Sequence, residues 1–174
     1  MITIVSGTNR KNSVTKQIAE HYQKTLQSKG IETDLIDLVD LPADFSNTAL
    51  YENQGKNEGF NELQSRMNIA QKYIFVVPEY NGSFPGILKT FLDGLTFPDT
   101  LKGKKCGMIG LSAGMQGSVI AMSHLTDIFN YLGMTVHANK PKLIKVDSLM
   151  KDGKLIDPSS IKRIDEQANV LINF

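Results

Sequence analysis

A doubly wound α/β fold on a five-stranded parallel sheet, strands in the order 2-1-3-4-5, is predicted by three observations. Strand-like apolar runs alternate with segments of helical periodicity along the whole chain. Residues 73–77 form an unbroken apolar run, the pattern of a parallel strand covered on both faces. Three strand ends lead into polar, glycine-bearing loops followed by helices, and open α/β sheets take their ligands at such carboxyl ends.

The first strand is Ile2 to Ser6. Val14, Ile18, Tyr22 and Leu26 then recur at helical spacing, with Gly30 as the stop. Residues 31–38 read as a second strand whose imperfect alternation suits a sheet edge. Residues 40–57 are polar, contain Pro42 and Gly55 and show no period; so long a loop inside a compact domain is often functional. Phe60, Leu63, Met67 and Ala70 mark a helix feeding the buried strand 73–77. Leu88, Phe91, Leu92 and Leu95 give a short amphipathic helix, and 106–111 is the fourth strand. Ala121, Leu125, Ile128, Phe129 and Leu132 form a helical stripe ended by Gly133. A fifth strand begins at 135–138, and 142–146 either continues it or runs extended. Asp152-Gly153 is a tight turn. Pro158 opens a last helix with Ile161, Ile164, Ala168, Leu171 and Ile172 on its apolar face. There is no internal repeat, linker or low-complexity segment, so residues 1–174 read as one domain.

The chain's 174 residues, 41% hydrophobic and 21% charged, suit one globular domain with a real core. Nineteen Lys and Arg against 18 Asp and Glu leave no basic excess, so a nucleic-acid partner is not expected. The only cysteine, Cys106, excludes an internal disulfide and, inside an apolar strand, reads as a buried inert thiol. Neither a membrane span nor a signal peptide is evident, and the expected location is the cytoplasm.

Chemistry concentrates in the loops after the first, third and fourth strands. The first runs into a helix, where free N–H groups and the helix dipole favour an anion. Thr8, Ser13 and Thr15 offer hydroxyls there and Arg10 a charge-assisted bond. A plain N-cap at Asn12 or Ser13, with a solvated Arg10, explains the same residues. Both Gly-x-Gly-x-x-Gly and Gly-x-x-x-x-Gly-Lys-Ser/Thr are absent, which disfavours a Rossmann-type dinucleotide site and a nucleoside triphosphatase. The second loop carries a ring (Tyr80), an amide (Asn81), a hydroxyl (Ser83) and free N–H groups, an inventory suited to a flat heterocycle with polar edges. The third, residues 112–117, is equally readable as a simple strand-to-helix turn. His21, His124 and His137 lack metal-ligand spacing, and no Gly-x-Ser-x-Gly elbow supports a serine hydrolase. The aspartates at 37, 40, 44 and 93 read as solvated or helix-capping residues.

Pro78-Glu79-Tyr80-Asn81-Gly82-Ser83-Phe84-Pro85-Gly86 followed by Leu88-Lys89 resembles the flavin loop of the NAD(P)H-dependent FMN reductase family. That flavodoxin-like group includes azo-, quinone- and chromate-reducing enzymes. Ser6-Gly7-Thr8-Asn9-Arg10-Lys11-Asn12-Ser13-Val14-Thr15 resembles its phosphate loop, and Ser112-Ala113-Gly114-Met115-Gln116-Gly117-Ser118 its third flavin loop. The likeness runs from Met1 to about Leu132 and more weakly through residues 152–155. Three matches in order are far more specific than one.

The resemblance implies a flavodoxin-like three-layer sandwich holding FMN non-covalently. Thr8, Arg10, Ser13, Val14 and Thr15 (a position where the family often carries Asn) would hold its phosphate. Pro78, Glu79, Tyr80, Asn81 and Gly82 would meet the ring, with the Glu79 carboxylate turned outward. Ser112, Ala113, Gly114 and Gly117 would form the other wall. NADH or NADPH is the implied donor and a small molecule the acceptor, with no side chain needed as a catalytic acid or base. A homodimer or homotetramer is implied, and the long loop 40–57 with Phe84, Leu95 and Phe97 is the expected interface. The other reading is an FMN electron-transfer or redox-sensing module without its own NAD(P)H turnover; the balanced charge argues against the acidic docking surface usual in that class.

Overall fold

The apolar run at 73–77 lies at the centre of the sheet, with Tyr73, Ile74, Phe75, Val76 and Val77 fully buried. The computed structural model describes residues 1–174. Strand β1 (Ile2–Ser6) leads to helix α1 (Val14–Ser28) and strand β2 (Thr33–Asp37). The short α2 (Phe45–Thr48) and α3 (Glu58–Ile69) precede β3 (Lys72–Pro78), α4 (Gly86–Gly94) and β4 (Lys105–Leu111). Helix α5 (Val119–Tyr131), the two-residue strands β5 (Thr135–Val136) and β6 (Lys142–Leu143), the hairpin β7 (Met150–Lys151)–β8 (Lys154–Leu155) and helix α6 (Pro158–Asn173) complete the chain. The parallel order is β2-β1-β3-β4-β5, as expected, with β2 at an edge.

Alternate side chains of the buried strands feed two cores. Ile4, Ile74, Val76 and Ile109 pack against Ile18, Tyr22 and Leu26 of α1 and Ile164, Ala168 and Leu171 of α6. Val5, Phe75, Val77 and Met108 face α3, α4 and α5 through Leu63, Leu88, Phe91, Leu125 and Phe129. Helices therefore cover both faces, and each fully buried Leu, Ile or Phe contributes about 1.5–3 kcal/mol relative to exposure. Burial raises the pKa of the Cys106 thiol to about 12, so it stays protonated and inert.

Three expectations need correction. Strand β2 is shorter than 31–38, because the Asp37 carboxylate accepts the Val39 N–H at 3.4 Å and starts a 3-10 turn at Leu38–Asp40. Asp37 thus takes the capping role, one of the two read for it, and does so while buried, with Lys16 Nζ 3.2 Å from its Oδ2.

The segment 40–57 is not featureless. Phe45, Ala49 and Leu50 are buried in the chain's own core, and the Phe45 ring stacks on Phe60 at 5.6 Å. Apolar side chains at helical spacing among polar neighbours account for α2.

The fifth strand position is split. Both β5 and β6 pair with β4, at Lys105↔Thr135 and Gly110↔Lys142, around a break at 137–141. Pro141 has no N–H to give a ladder. The buried Gln167 of α6 bridges the break, donating through Nε2 to the Met108 carbonyl at 2.9 Å and to the Asn139 carbonyl at 2.7 Å.

Candidate functional site

The carboxyl ends of β1, β3 and β4 bring their three loops into one cleft of about 330 Å³. It is lined by Arg10, Ser13, Val14, Thr15, Pro78, Glu79, Tyr80, Ser112 and Ala113, nine of the residues expected there from the sequence.

The first loop approaches β3 very closely. Gly7 donates to the Val76 carbonyl at 2.9 Å, and a Cβ at Gly7 would sit 2.8 Å from that same oxygen. Ser13 caps α1, its Oγ accepting the Lys16 N–H at 3.1 Å. The N–H groups of residues 11–15 find no acceptor within the chain. Together with Arg10 they form a cluster of donors at the positive end of a 15-residue helix. Thr8 lies beneath the cleft rather than in its lining. Its buried Oγ1 accepts the Arg10 N–H at 3.3 Å and sits 2.8 Å from the Tyr80 hydroxyl. This hydrogen bond ties the first loop to the second.

In the second loop, Tyr80 and Ser83 exchange backbone hydrogen bonds at 2.8 and 3.0 Å. Asn81 (φ 50) and Gly82 (φ 76) form the tip of that hairpin turn, the Asn-Gly pair favoured where both central residues have positive φ. Both project from the tip, outside the cleft lining. Glu79 N–H donates to Leu111 and Tyr80 N–H to Ser83, so between residues 78 and 83 only Asn81 and Gly82 retain free backbone donors. The Ser83 hydroxyl is also engaged, 2.9 Å from His124 Nδ1.

The Glu79 carboxylate is not turned out to solvent. Its Oε2 accepts the Ser118 N–H at 3.2 Å, at the N-terminus of α5, where the helix dipole favours a negative charge. Ser118 is held at φ 62 and its own side chain makes no cap, so Glu79 takes that role across the cleft.

The third loop is braced by Ser112. Its hydroxyl donates to the Gly114 carbonyl at 3.0 Å and accepts the Gly117 N–H at 2.8 Å. Gly114 and Gly117 shape this loop and do not line the cleft, whereas the N–H groups of Ala113 and Gly114 are free.

Five lining residues escaped the sequence reading: Lys11, Asn12, Leu111, Val146 and Asp147. Lys11 and Asn12 stood inside the phosphate-loop motif and could have been named. Val146 and Asp147 had no motif. They reach the cleft because β6 places them beside the third loop, where Val146 N–H donates to Ser112 and Lys145 N–H to Gly114.

The Thr8–Tyr80 bond carries a prediction. The Tyr80 hydroxyl and the Arg10 N–H both bond Thr8 Oγ1, so the tyrosine hydroxyl helps to hold the first loop in the shape that presents Arg10 to an anion, and linked hydrogen bonds reinforce one another. Tyr80→Phe is expected to weaken binding of a phosphate-bearing flavin by about 1 kcal/mol and to leave riboflavin binding unchanged. Parallel titrations with the two flavins measure the difference.

The family model described as NADPH-dependent FMN reductase matches residues 1–142. A 2-hydroxy-1,4-benzoquinone reductase of Burkholderia sp is 33% identical over 149 residues, 82% of this chain and 76% of the relative. An FMN-dependent NADPH-azoreductase of Staphylococcus aureus (strain USA300) is 34% identical over 137 residues, 76% of this chain and 71% of the relative. Among solved structures, the flavoenzyme NAD(P)H:(acceptor) oxidoreductase FerB of Paracoccus denitrificans superposes with a TM-score of 0.80 at 23% identity, over 99% of this chain and 94% of that one. A flavodoxin from the domain Archaea gives 0.68 at 15% identity, over 99% and 97%. At those identities the structural likeness speaks for the fold, whereas the family match covers most of the chain and contains all three loops. The chain belongs to the NADPH-dependent FMN reductase family.

Proposed function

We propose that the chain binds FMN in this cleft, takes reducing equivalents from NADH or NADPH and passes them to a small acceptor such as a quinone, azo compound, chromate or free flavin. The observation that carries the reading is the donor set. Five consecutive free N–H groups beside Arg10 suit a terminal phosphate, and the free N–H group of Ala113, which lines the cleft with Tyr80, suits a flat ring with polar edges. Arg10, Ser13, Val14 and Thr15 would hold the phosphate, with Tyr80 as a wall of the ring pocket. FMN when bound supplies the hydride and electron chemistry, and the protein's part is to bind, orient and tune. Because Glu79 is pinned to the start of α5, its charge is committed to capping rather than directed at the ring. No side chain is required as a catalytic acid or base.

The test begins with the visible spectrum of the purified protein incubated with FMN, followed by anaerobic addition of NADPH. A flavin band that bleaches supports the reading, and a band that persists points to an electron-transfer module instead. Donor and acceptor competing for one exposed ring face should give parallel double-reciprocal lines. A set of intersecting lines would require separate subsites.

The proposal extends to a homodimer or homotetramer; in the loop 40–57, Phe45, Ala49 and Leu50 are covered by the chain's own core and only Tyr51, 78% exposed, is left to meet a partner. Leu95 is likewise buried and Phe84 is packed on the core. Phe97 and Tyr131 remain 63% and 81% exposed, their rings 6.4 Å apart, beside a groove lined by Leu92, Leu95, Pro98, Leu101 and Leu132. Exposed stacked aromatics beside an apolar groove suit a subunit interface. Light scattering at micromolar concentration is expected to show an oligomer that Tyr131→Glu dissociates. A monomeric parent protein would end this part of the proposal.

A further inference from the structure

Beyond the third loop, on the side away from Tyr80, lies a second groove of about 390 Å³ lined by Met115, Gln116, Val119, Lys142, Ile144 and Arg163. No acid lines it. Its apolar members are unusually open, Met115 at 64% exposure and Val119 and Ile144 each at 39%. Lys142 makes no salt bridge. Arg163 reaches only the Ser159 and Lys142 carbonyls and the Ser160 hydroxyl, all at 3.4 Å. Asp157, which feels the Arg163 charge, is committed to capping α6 through the Ser160 N–H at 2.7 Å. Lys140, whose Nζ donates to Thr126 Oγ1 at 2.7 Å, lines an adjoining hollow that also contains Asp127 and shares Val119 and Lys142 with this groove.

We infer that this groove holds the 2′-phosphoadenosine end of NADPH, with the adenine on Met115, Val119 and Ile144 and the 2′-phosphate between Lys142 and Arg163. The inference rests on the proposed flavin site and deepens it. A dinucleotide whose nicotinamide reaches the flavin must lay its adenosine half along one wall of the cleft. The groove between α4 and α5, on the second-loop side, offers Asp93 and Asp127, and its Lys89 is already paired with Asp93 at 2.6 Å. A phosphate dianion is repelled there. The third-loop side pairs a planar guanidinium and an ammonium with a thioether and two aliphatic side chains, a set that recognises a phosphorylated purine nucleoside. The third loop joins the two sites, since its Ser112 and Ala113 line the cleft and its Met115 and Gln116 line the groove, and a Cβ at Gly117 would meet Lys142 Cβ at 2.9 Å.

The test uses the full chain loaded with FMN. Calorimetric titration with adenosine 2′,5′-bisphosphate and with 5′-AMP is expected to show tighter binding of the bisphosphate. In Lys142→Gln/Arg163→Gln the bisphosphate should bind about tenfold to a hundredfold more weakly, the range for losing hydrogen bonds to a charged group. The ratio of KM for NADPH to KM for NADH should rise by a similar factor. Lys142→Arg, which keeps the charge, should retain the preference. Equal binding of the two nucleotides by the parent protein, or an unchanged KM ratio in the double variant, would overturn the inference. A protein that binds no flavin and oxidises neither donor defeats the flavin reading instead, and the nucleotide titrations on the unloaded chain still decide the groove.

Discussion

Gly110→Ala is expected to lower the stability of the protein by about 3 kcal/mol, the upper part of the range for overpacking a tight site. A Cβ at position 110 would overlap the Gly117 carbonyl oxygen and lie 2.6 Å from the Met122 methyl carbon. Met122 can shift, but the carbonyl belongs to the third loop, whose position Ser112 fixes through two hydrogen bonds. For a chain of this size the loss corresponds to a melting temperature lower by roughly 6–12 °C. Gly114→Ala is the control: it lies in the same loop with nothing within 4 Å of its would-be Cβ and should cost little. A thermal melt of both variants gives the comparison. If Gly110→Ala melts like the parent, the close approach of β4 to the third loop is not what the structure describes. The displaced loop should also weaken flavin binding, because Ser112 and Ala113 line the cleft.

Arg10→Ala is expected to weaken FMN binding by about 1–3 kcal/mol while riboflavin binding stays the same. The physical reason is selective: in the proposed site the Arg10 guanidinium would meet the phosphate, and riboflavin has none. Arg10 is exposed and holds no other element, so the effect should appear in binding and not in the melting temperature. Ser13→Ala should behave differently. Ser13 Oγ caps α1 through Lys16, so its loss should cost about 1 kcal/mol of stability in addition to phosphate affinity. Equilibrium titrations with FMN and riboflavin, alongside melts of both variants, separate the two contributions. Parallel loss of both flavins in Arg10→Ala would mean that the side chain shapes the loop and does not contact the phosphate.

How much could be read in advance varied with the range of the interactions involved. Each main helix showed its buried stripe in the sequence, because residues at i, i+3 and i+4 share a face whatever surrounds them. The central strand was legible for the same reason, five buried apolar residues in succession. The segment 40–57 shows no period in the sequence because Phe45, Ala49 and Leu50 are too few to make one. Their burial depends on Phe60, ten or more residues away. The break in the fifth strand position was also hidden. It is tolerated because Gln167, on the last helix, satisfies the Met108 and Asn139 carbonyls, and no local pattern links these residues. In the site, the motifs pointed to all three loops, but not to which donors in them remain free.

By itself the sequence determined the α/β class, the strand order and the three loops that meet at one edge. Period, apolar runs and loop motifs are local properties, and a doubly wound sheet brings the carboxyl ends of its central strands together. Only the tertiary structure decided how the site is wired. Thr8 meets Tyr80 across 72 residues, Glu79 caps a helix 39 residues on, and Val146 and Asp147 enter the cleft from a segment beyond the family match. It also decided that the Tyr80 and Glu79 N–H groups are taken while those of residues 11–15 are free. A hydrogen bond between distant residues depends on the positions of two backbones in space, and no spacing along the chain encodes them.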